Sequence, residues 1–479
     1  MDISRVLGTF DGVRAKYHSL FPMAYFSIWT QRSVAGVFFA FALAHFGLTA
    51  GLPKEIDQLA RQYVQSGQVP GIIIGVWRPG SGLSLINYGV SDLASGAPMN
   101  RANAQRIASI TKSFTVTRIL QLADEGRLGL DDPIDKYVPN IHNGSATLRE
   151  LADMTSGIFN YTEDATFIRK FASHLTEPVT TREIVAAANS HEPYFAPGGR
   201  WYYSNTNTVL LGMVVERVTG RPLRVELTRE IIRPLGLAHT LYPTSVFLPK
   251  PFSRGYAVLD TDQGRIDVTE ITPTATAGSG ALVSTLDDLR LWGRALARGS
   301  LLSRRSQLAR LQTIDSSKGV GPYYDRYGLG IGRISGWLGH TGDVLGFQSL
   351  VMHNLVADET VVIFVNSSNP DHIPTVLFRR IVALLSPALP AQPTATRISG
   401  KRHRATSGIS LRIRGRAFSE AGILLVEYSG NGGPYRLARG TSVWRLRPQL
   451  QPGRNVISIR SIDRLGRKSK VSKIIVTRS

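Results

Sequence analysis

Apolar positions along the chain change their spacing several times, and each change predicts a different element. Val34 to Gly51 (VAGVFFAFALAHFGLTAG) is almost continuously apolar and follows Arg32. A basic flank, an apolar run and the small-residue ending Leu48-Thr49-Ala50 have the form of a secretory signal cleaved near Ala50, with Met23 as an alternative start. An uncleaved anchor is the competing reading, since about 18 apolar residues is the lower limit for a spanning helix. Either reading of 1–51 places the remainder outside the cytoplasm, in the periplasm or beyond the cell. Next, Ile56, Leu59, Ala60, Tyr63 and Val64 recur at helical spacing between Glu55 and Gly67. Two strand-like runs follow, Gly71 to Trp77 and Leu83 to Gly89, separated by the turn Arg78-Pro79-Gly80-Ser81-Gly82.

Helical patterns and loops then alternate from 107 to 330. Strand patterns return at Trp337 to Leu350 and Glu359 to Asn366, and a helix closes the unit at Val376 to Leu385. Strands at both ends with helices between predict an α+β body, residues 52–386, whose ends meet in one antiparallel sheet. Residues 387–405 are rich in Pro, Ala and basic residues and read as a linker. From 406 to 479 short alternating strands predict a small β-sandwich, at Ser410–Ile413, Gly422–Tyr428, Val443–Leu446, Asn455–Ile462 and Val471–Thr477.

Composition narrows this picture. The 479 residues are 43% apolar and 19% charged, so a disordered or fibrous chain is excluded. There is no cysteine, which removes disulfides, a thiol nucleophile and zinc–thiolate sites. The formal charge of +21 is concentrated at one end. Arg397 to Ser479 holds 19 Lys+Arg against 3 Asp+Glu, whereas 52–396 carries only +3. An argument about anionic partners therefore applies to the C-terminal module: wall polymer, lipopolysaccharide or lipid head groups, with nucleic acid disfavoured by the export segment.

Three short motifs carry the chemistry. Ser109-Ile110-Thr111-Lys112 opens a helix predicted to be amphipathic through Ile110, Phe114, Ile119 and Leu122. Residues three apart share a helix face, so Lys112 can take the Ser109 proton, and the helix N-terminus favours negative charge on that oxygen. Tyr203-Ser204-Asn205 offers a phenol for proton relay and an amide to fix a substrate carbonyl. His340-Thr341-Gly342 lies in the late strand region, where a glycine lets backbone approach a substrate and the next N–H can serve an oxyanion. No G-x-S-x-G or H-E-x-x-H occurs, and no metal or cofactor is implied.

In this order the motifs resemble the serine β-lactamase and penicillin-binding hydrolases, whose class A set is S-x-x-K, S-D-N and K-T-G. Tyr-Ser-Asn and His-Thr-Gly look more like class C β-lactamases, serine D-Ala-D-Ala carboxypeptidases and related esterases. The resemblance spans about 52–386 and includes Arg106-Ile107-Ala108, Leu128 to Pro133, Thr155-Ser156-Gly157, Phe195-Ala196-Pro197-Gly198 and Gly280 to Thr285. It implies the DD-peptidase/β-lactamase fold, an antiparallel sheet flanked by helices with a helical subdomain. It also implies an acyl-enzyme on Ser109, with Lys112 and Tyr203 sharing the proton work and either of them as base. The N–H groups of Ser109 and Asp343 would bind the oxyanion. Asn205, His340, Thr341, Gly342 and Asp343 would contact substrate.

The implied reaction is that of a D-Ala-D-Ala carboxypeptidase acting on cell-wall peptides. The alternatives, in order, are an esterase or amidohydrolase, a β-lactamase, and a non-catalytic penicillin or peptidoglycan receptor. His340 replaces the Lys of K-T-G and withholds a fixed cation from a substrate carboxylate. Asp343 stands where the family has a small residue. If its carboxylate faces the cleft, a neutral or amine-bearing substrate is favoured; if it points outward or pairs with a base such as Arg333, it has no such effect. The tail resembles a bacterial immunoglobulin-like module through Trp444, Pro452-Gly453-Arg454-Asn455 and Asp463-Arg464-Leu465-Gly466.

Overall fold

The computed structural model describes residues 52–258, 264–317, 319, 321–322, 324–369, 371–385, 395–419, 423–463 and 468–479. The proposed export segment 1–51, residue 386 and residues 387–394 of the expected linker lie outside them. The first helix is α1 (Lys54–Gln65), followed by the hairpin β1 (Gly71–Arg78) and β2 (Gly82–Gly89). The late strands are β3 (Ile314–Asp315), β4 (Arg326–Gly328), β5 (Ile331–Ile334), β6 (Trp337–Val344), β7 (Phe347–Asn354) and β8 (Glu359–Val365). They join the hairpin in one antiparallel sheet of order β2-β1-β8-β7-β6-β5-β4-β3. The two ends of the unit meet where Ile72 pairs with Val365 and Val76 with Val361.

Both faces of the central strands are covered, which explains why β1 and β8 are continuous apolar runs rather than alternating ones. Ile72, Ile74, Val361 and Ile363 pack with Ile56 of α1 and with Leu377 and Phe378 of the closing helix Ile373–Leu385. Ile73, Val362 and Phe364 belong to the opposite cluster, with the interior helix α2 (Ile110–Asp124) and Trp292. The α2 helix was expected to be amphipathic, and the structure corrects that. It runs between the sheet and the helical region, so residues 110–120 and Leu122 are all buried. Phe114 stacks on Trp292 at 3.8 Å, and the Trp292 indole N–H donates to Ser113 Oγ at 2.9 Å. Further along, the buried Arg118 guanidinium bridges Glu226 at 2.8 Å and Glu125 at 2.6 Å.

The C-terminal module is a two-sheet sandwich. Its strands are β9 (Ala395–Ile398), β10 (His403–Thr406), β11 (Ile413–Phe418), β12 (Ile423–Gly430), β13 (Arg436–Leu437), β14 (Arg439–Gly440), β15 (Val443–Leu446), β16 (Gly453–Asp463) and β17 (Ser472–Arg478). One sheet has the order β9-β11-β15-β14 and the other β10-β17-β16-β12-β13. Trp444, Ile413, Ile457, Ile459 and Val476 meet between them. Two expectations change here. The span 387–405 is not linker throughout: β9 pairs with β11, and β10 pairs in parallel with β17. The strand expected at Ser410–Ile413 begins instead at Ile413, where inward Ile413 and Ala417 meet the core. Leu425 and Ile462 join the hydrolase cluster, so the module is docked on the α+β body.

The Arg118–Glu226 pair anchors α2 from its middle, and breaking a buried pair costs several kcal/mol because a charge is left uncompensated. Glu226→Ala is expected to destabilise the α+β unit by about 3 kcal/mol, read as a lower midpoint in thermal or denaturant unfolding.

Candidate active site

Ser109 is the N-cap of α2, and Ala108 before it holds φ 48°, a left-handed conformation that costs a non-glycine residue energy. This turn leaves Ser109 half-buried at the cavity wall while Lys112, one turn on, is fully buried. The Lys112 Nζ lies 2.9 Å from Ser109 Oγ, 2.6 Å from Asn205 Oδ1 and 2.9 Å from the Ser279 carbonyl. Burial pushes its pKa well down. Asn205 starts the helix α3 (Asn205–Thr219), and its Nδ2 donates to Thr162 Oγ1 at 3.0 Å, which turns Oδ1 toward the lysine. The Asn205 and Ser279 oxygens can only accept. A neutral amine therefore gives them its two hydrogens and presents its lone pair to the Ser109 hydroxyl.

Tyr203 sits over this group, with Lys112 Nζ 5.0 Å from its ring centroid. Burial, with Tyr324 nearby, raises its pKa well above the phenol range, while Ser109 lies close enough to oppose that rise. The hydroxyl nevertheless makes no hydrogen bond of normal geometry among the described residues. Tyr203 thus points a protonated, unsatisfied phenol at the nucleophile.

Strand β6 forms the other wall. Gly342 is required by a close approach: an added Cβ would stand 2.2 Å from the Ile107 carbonyl and 2.4 Å from Ser349 Oγ. The glycine was expected to admit a substrate, and what it admits is the turn that carries Ser109. The Gly342 carbonyl accepts from His372 Nε2 at 3.0 Å. The Thr341 N–H donates to Tyr324 Oη at 2.8 Å along the edge of β6 that lacks a strand partner beyond Gly339. The Asp343 N–H, two residues on, points the same way, as the strand period requires.

His340 differs from its expected role as a substrate contact. Its ring has no exposed surface and both nitrogens are used. Nδ1 donates to the Thr341 carbonyl at 2.6 Å, which leaves Nε2 to accept from the Tyr327 hydroxyl at 2.8 Å. Burial lowers its pKa to about 3, so it is neutral and acts as a positioning residue. Thr341 is likewise buried, with Oγ1 2.8 Å from Tyr324 Oη.

A cavity of about 210 Å³ opens beside Ser109. Ser109, Asn205 and Asp343 lie on its polar side, and Phe167, Phe171 and Leu345 on its apolar side. Asp343 accepts from Gln348 Nε2 at 3.2 Å and is exposed to solvent. The protein packed around it raises its pKa, and its exposure to water limits that shift. Sequence reading missed Ser279, Tyr324, Tyr327 and His372. The pair Tyr324 and Tyr327 was the one visible signal, two phenols three apart just ahead of Gly328-Leu329-Gly330.

Gly342→Ala is expected to lower kcat about 100-fold with a smaller change in KM, because backbone displaced near Ser109 misplaces the nucleophile. Steady-state kinetics of a folded variant checks this.

Residues 56–385 match the family model described as Beta-lactamase. Protein flp of Staphylococcus aureus (strain COL) is 30% identical over 215 residues, 44% of this chain and 42% of that protein. The chain thus spans less than half the length of the curated relatives it matches first. A D-stereospecific amidohydrolase from Streptomyces sp. is 33% identical, with 68% of this chain and 97% of that one covered and a TM-score of 0.61. The D-amino acid amidase from Ochrobactrum anthropi SV3, at 24% identity with 70% and 98% covered and a TM-score of 0.62, shares the fold. With Ser109 and Asn205 lining one cavity, Lys112 bonded to both behind them, and a match that spans nearly all of the α+β unit, the chain belongs to the β-lactamase family of serine hydrolases.

Proposed function

We propose that the protein hydrolyses amide bonds of small D-configured substrates bearing a free amine, through an acyl-enzyme on Ser109. The observation that carries this reading is the charge of the cavity wall: one carboxyl, Asp343, and no cation among the lining residues. An ammonium group is stabilised there and a carboxylate is not. The apolar wall of Phe167, Phe171 and Leu345 suits an aliphatic or aromatic side chain. The similarity to a D-stereospecific amidohydrolase supports the same substrate class.

Neutral Lys112 takes the Ser109 proton as Oγ attacks the amide carbon. The resulting oxyanion is held by the N–H groups of Ser109 and Asp343. The C–N bond then breaks as the proton passes from Lys112 to the leaving nitrogen through Tyr203, whose raised pKa keeps it a phenol that relays protons rather than a phenolate base. Water, deprotonated by Lys112, attacks the ester carbon, and the acid leaves with Ser109 restored.

A second reading, D-Ala-D-Ala carboxypeptidase, has one observation in its favour. The upward shift of the Asp343 pKa makes its carboxyl easier to neutralise as pH falls, and a neutral carboxyl does not repel a terminal carboxylate. In both readings the Val34–Gly51 run supports action outside the cytoplasm.

The decisive comparison uses D-leucinamide, D-phenylalaninamide, their N-acetyl forms and a D-Ala-D-Ala peptide, with Ser109→Ala as control. Ammonia release from the free-amine D-amides is expected, lost in the variant, with N-acetylation or Asp343→Asn raising KM about tenfold. D-Ala release from the peptide without amide turnover sinks this reading in favour of the carboxypeptidase.

The pH dependence follows from the two shifts. Activity falls on the acid side as Lys112 takes up a proton, at a pH below the ordinary lysine range. Attraction to the amine needs ionised Asp343, whose pKa is raised from the ordinary carboxylate value, and a substrate amine still protonated, below about 8. For free-amine substrates kcat/KM is expected to peak near that window, and Asp343→Asn to flatten the rise in 1/KM that Asp343 causes.

A further inference from the structure

The four-stranded sheet of the C-terminal sandwich turns its apolar side chains inward and arginines outward. Along β11, Ile413, Gly415 and Ala417 are buried while Arg414, Arg416 and Phe418 are exposed. Along β15, Trp444 and Leu446 are buried while Val443 and Arg445 are exposed. The register places like charges directly opposite one another: Arg397 faces Arg416, Arg414 faces Arg445, and Arg445 faces Arg439. Opposed like charges on neighbouring strands destabilise a sheet.

Nothing in the sheet offsets that repulsion. Its four strands contain no Asp, Glu or Lys, and among the described residues none of these arginines is in an ion pair. On the other sheet, by contrast, Arg460 bonds to Glu427 and lies 3.9 Å over the Tyr435 ring. Arg412, Arg414, Arg439 and Arg445 line one cavity of about 380 Å³. Exclusive use of arginine matters, because the planar guanidinium fork binds phosphate oxygens in pairs whereas lysine offers a point charge.

We propose that this face is a binding site for phosphate groups, with a phosphate monoester or diester seated in the four-arginine cavity and further groups held along Arg397 and Arg416. Exposed Phe418 and Val443 border the arginines and give apolar contact to whatever carries the phosphate. The bound anion sits between opposed guanidinium groups and removes their mutual repulsion. This site is separate from the Ser109 cavity and does not depend on the substrate proposed for it.

The test uses the full chain with two probes, long-chain inorganic polyphosphate and vesicles of phosphatidylglycerol, with phosphatidylcholine vesicles as control. The double variant Arg414→Gln/Arg445→Gln is compared with Arg436→Gln/Arg454→Gln, which removes the same charge from the other sheet. Binding is expected to weaken about tenfold or more in the first pair and less than about twofold in the second, with a steep loss of wild-type binding as salt rises. The unliganded Arg414→Gln/Arg445→Gln chain is expected to melt no lower than wild type, because a repulsion is gone, and polyphosphate is expected to raise only the wild-type midpoint. Binding to polyphosphate alone identifies a soluble or polymeric phosphate source, and binding to vesicles alone identifies lipid head groups; either supports the site. Binding to neither probe, equal weakening by both pairs, or a lower melting point of the unliganded first pair overturns it.

Discussion

Most of the hydrolase unit is organised around one buried amine with no carboxylate beside it. Lys112 touches three neutral oxygens, from Ser109, Asn205 and Ser279, which come from segments far apart in the chain. A charged amine in that position is costly, so burial favours the neutral form. Two of the oxygens can only accept, so the lone pair is left for the serine. Basicity and direction thus come from the same contacts. The surroundings have to be rigid for this to hold, and α2 is enclosed on nearly every side and tied at Arg118 to Glu226. The left-handed backbone at Ala108 is tolerated in that setting because its neighbours fix it.

The second wall of the site is set by neutral groups as well. Gly342 brings β6 against the Ser109 turn, His372 holds its carbonyl, and Tyr324 covers the strand edge at Thr341. His340 fills the space beneath and accepts from Tyr327 rather than meeting substrate. A lysine there would bring a cation next to Lys112 and lower its pKa further. With neutral His340, the strand positions its N–H groups without adding charge, and Asp343 is left as the ionisable group facing the cavity. In the proposed reading, substrate charge is then selected at that one residue.

How much of this the sequence discloses depends on where the chemistry resides. Ser109 and Lys112 are legible because one helical turn joins them, and Tyr203 and Asn205 because they flank a helix start. The Ser279 contribution is a backbone carbonyl, which every residue has, so no side-chain signal exists. His340 was found as a position and misread as a contact, since sequence gives strand membership but not the cover that Tyr324 and Tyr327 lay over it. The hairpin and late strands were legible from continuous apolar runs, because both faces of the sheet are buried. The helix α2 was read as amphipathic for the opposite reason: polar Thr111, Ser113, Thr115 and Thr117 are buried there and bonded internally or to neighbours. The strands Ala395–Ile398 and His403–Thr406 were hidden by a composition that suggests a linker, and only their pairing partners reveal them.

The overall charge of +21 belongs to a different problem from the chemistry. Counter-ions screen exposed charges beyond about 8 Å at physiological ionic strength, and the cavity lined by the sandwich arginines shares no residue with the one at Ser109. The cavity instead sees its own wall, which bears one carboxyl and no cation. The outer sheet face of the sandwich sees the reverse, cations in register and, among the described residues, no ion-paired carboxylate. Docking through Leu425 and Ile462 holds two surfaces of opposite character on one chain. In the proposed readings each then serves its own ligand, the cavity a small amine-bearing substrate and the sheet a phosphate group.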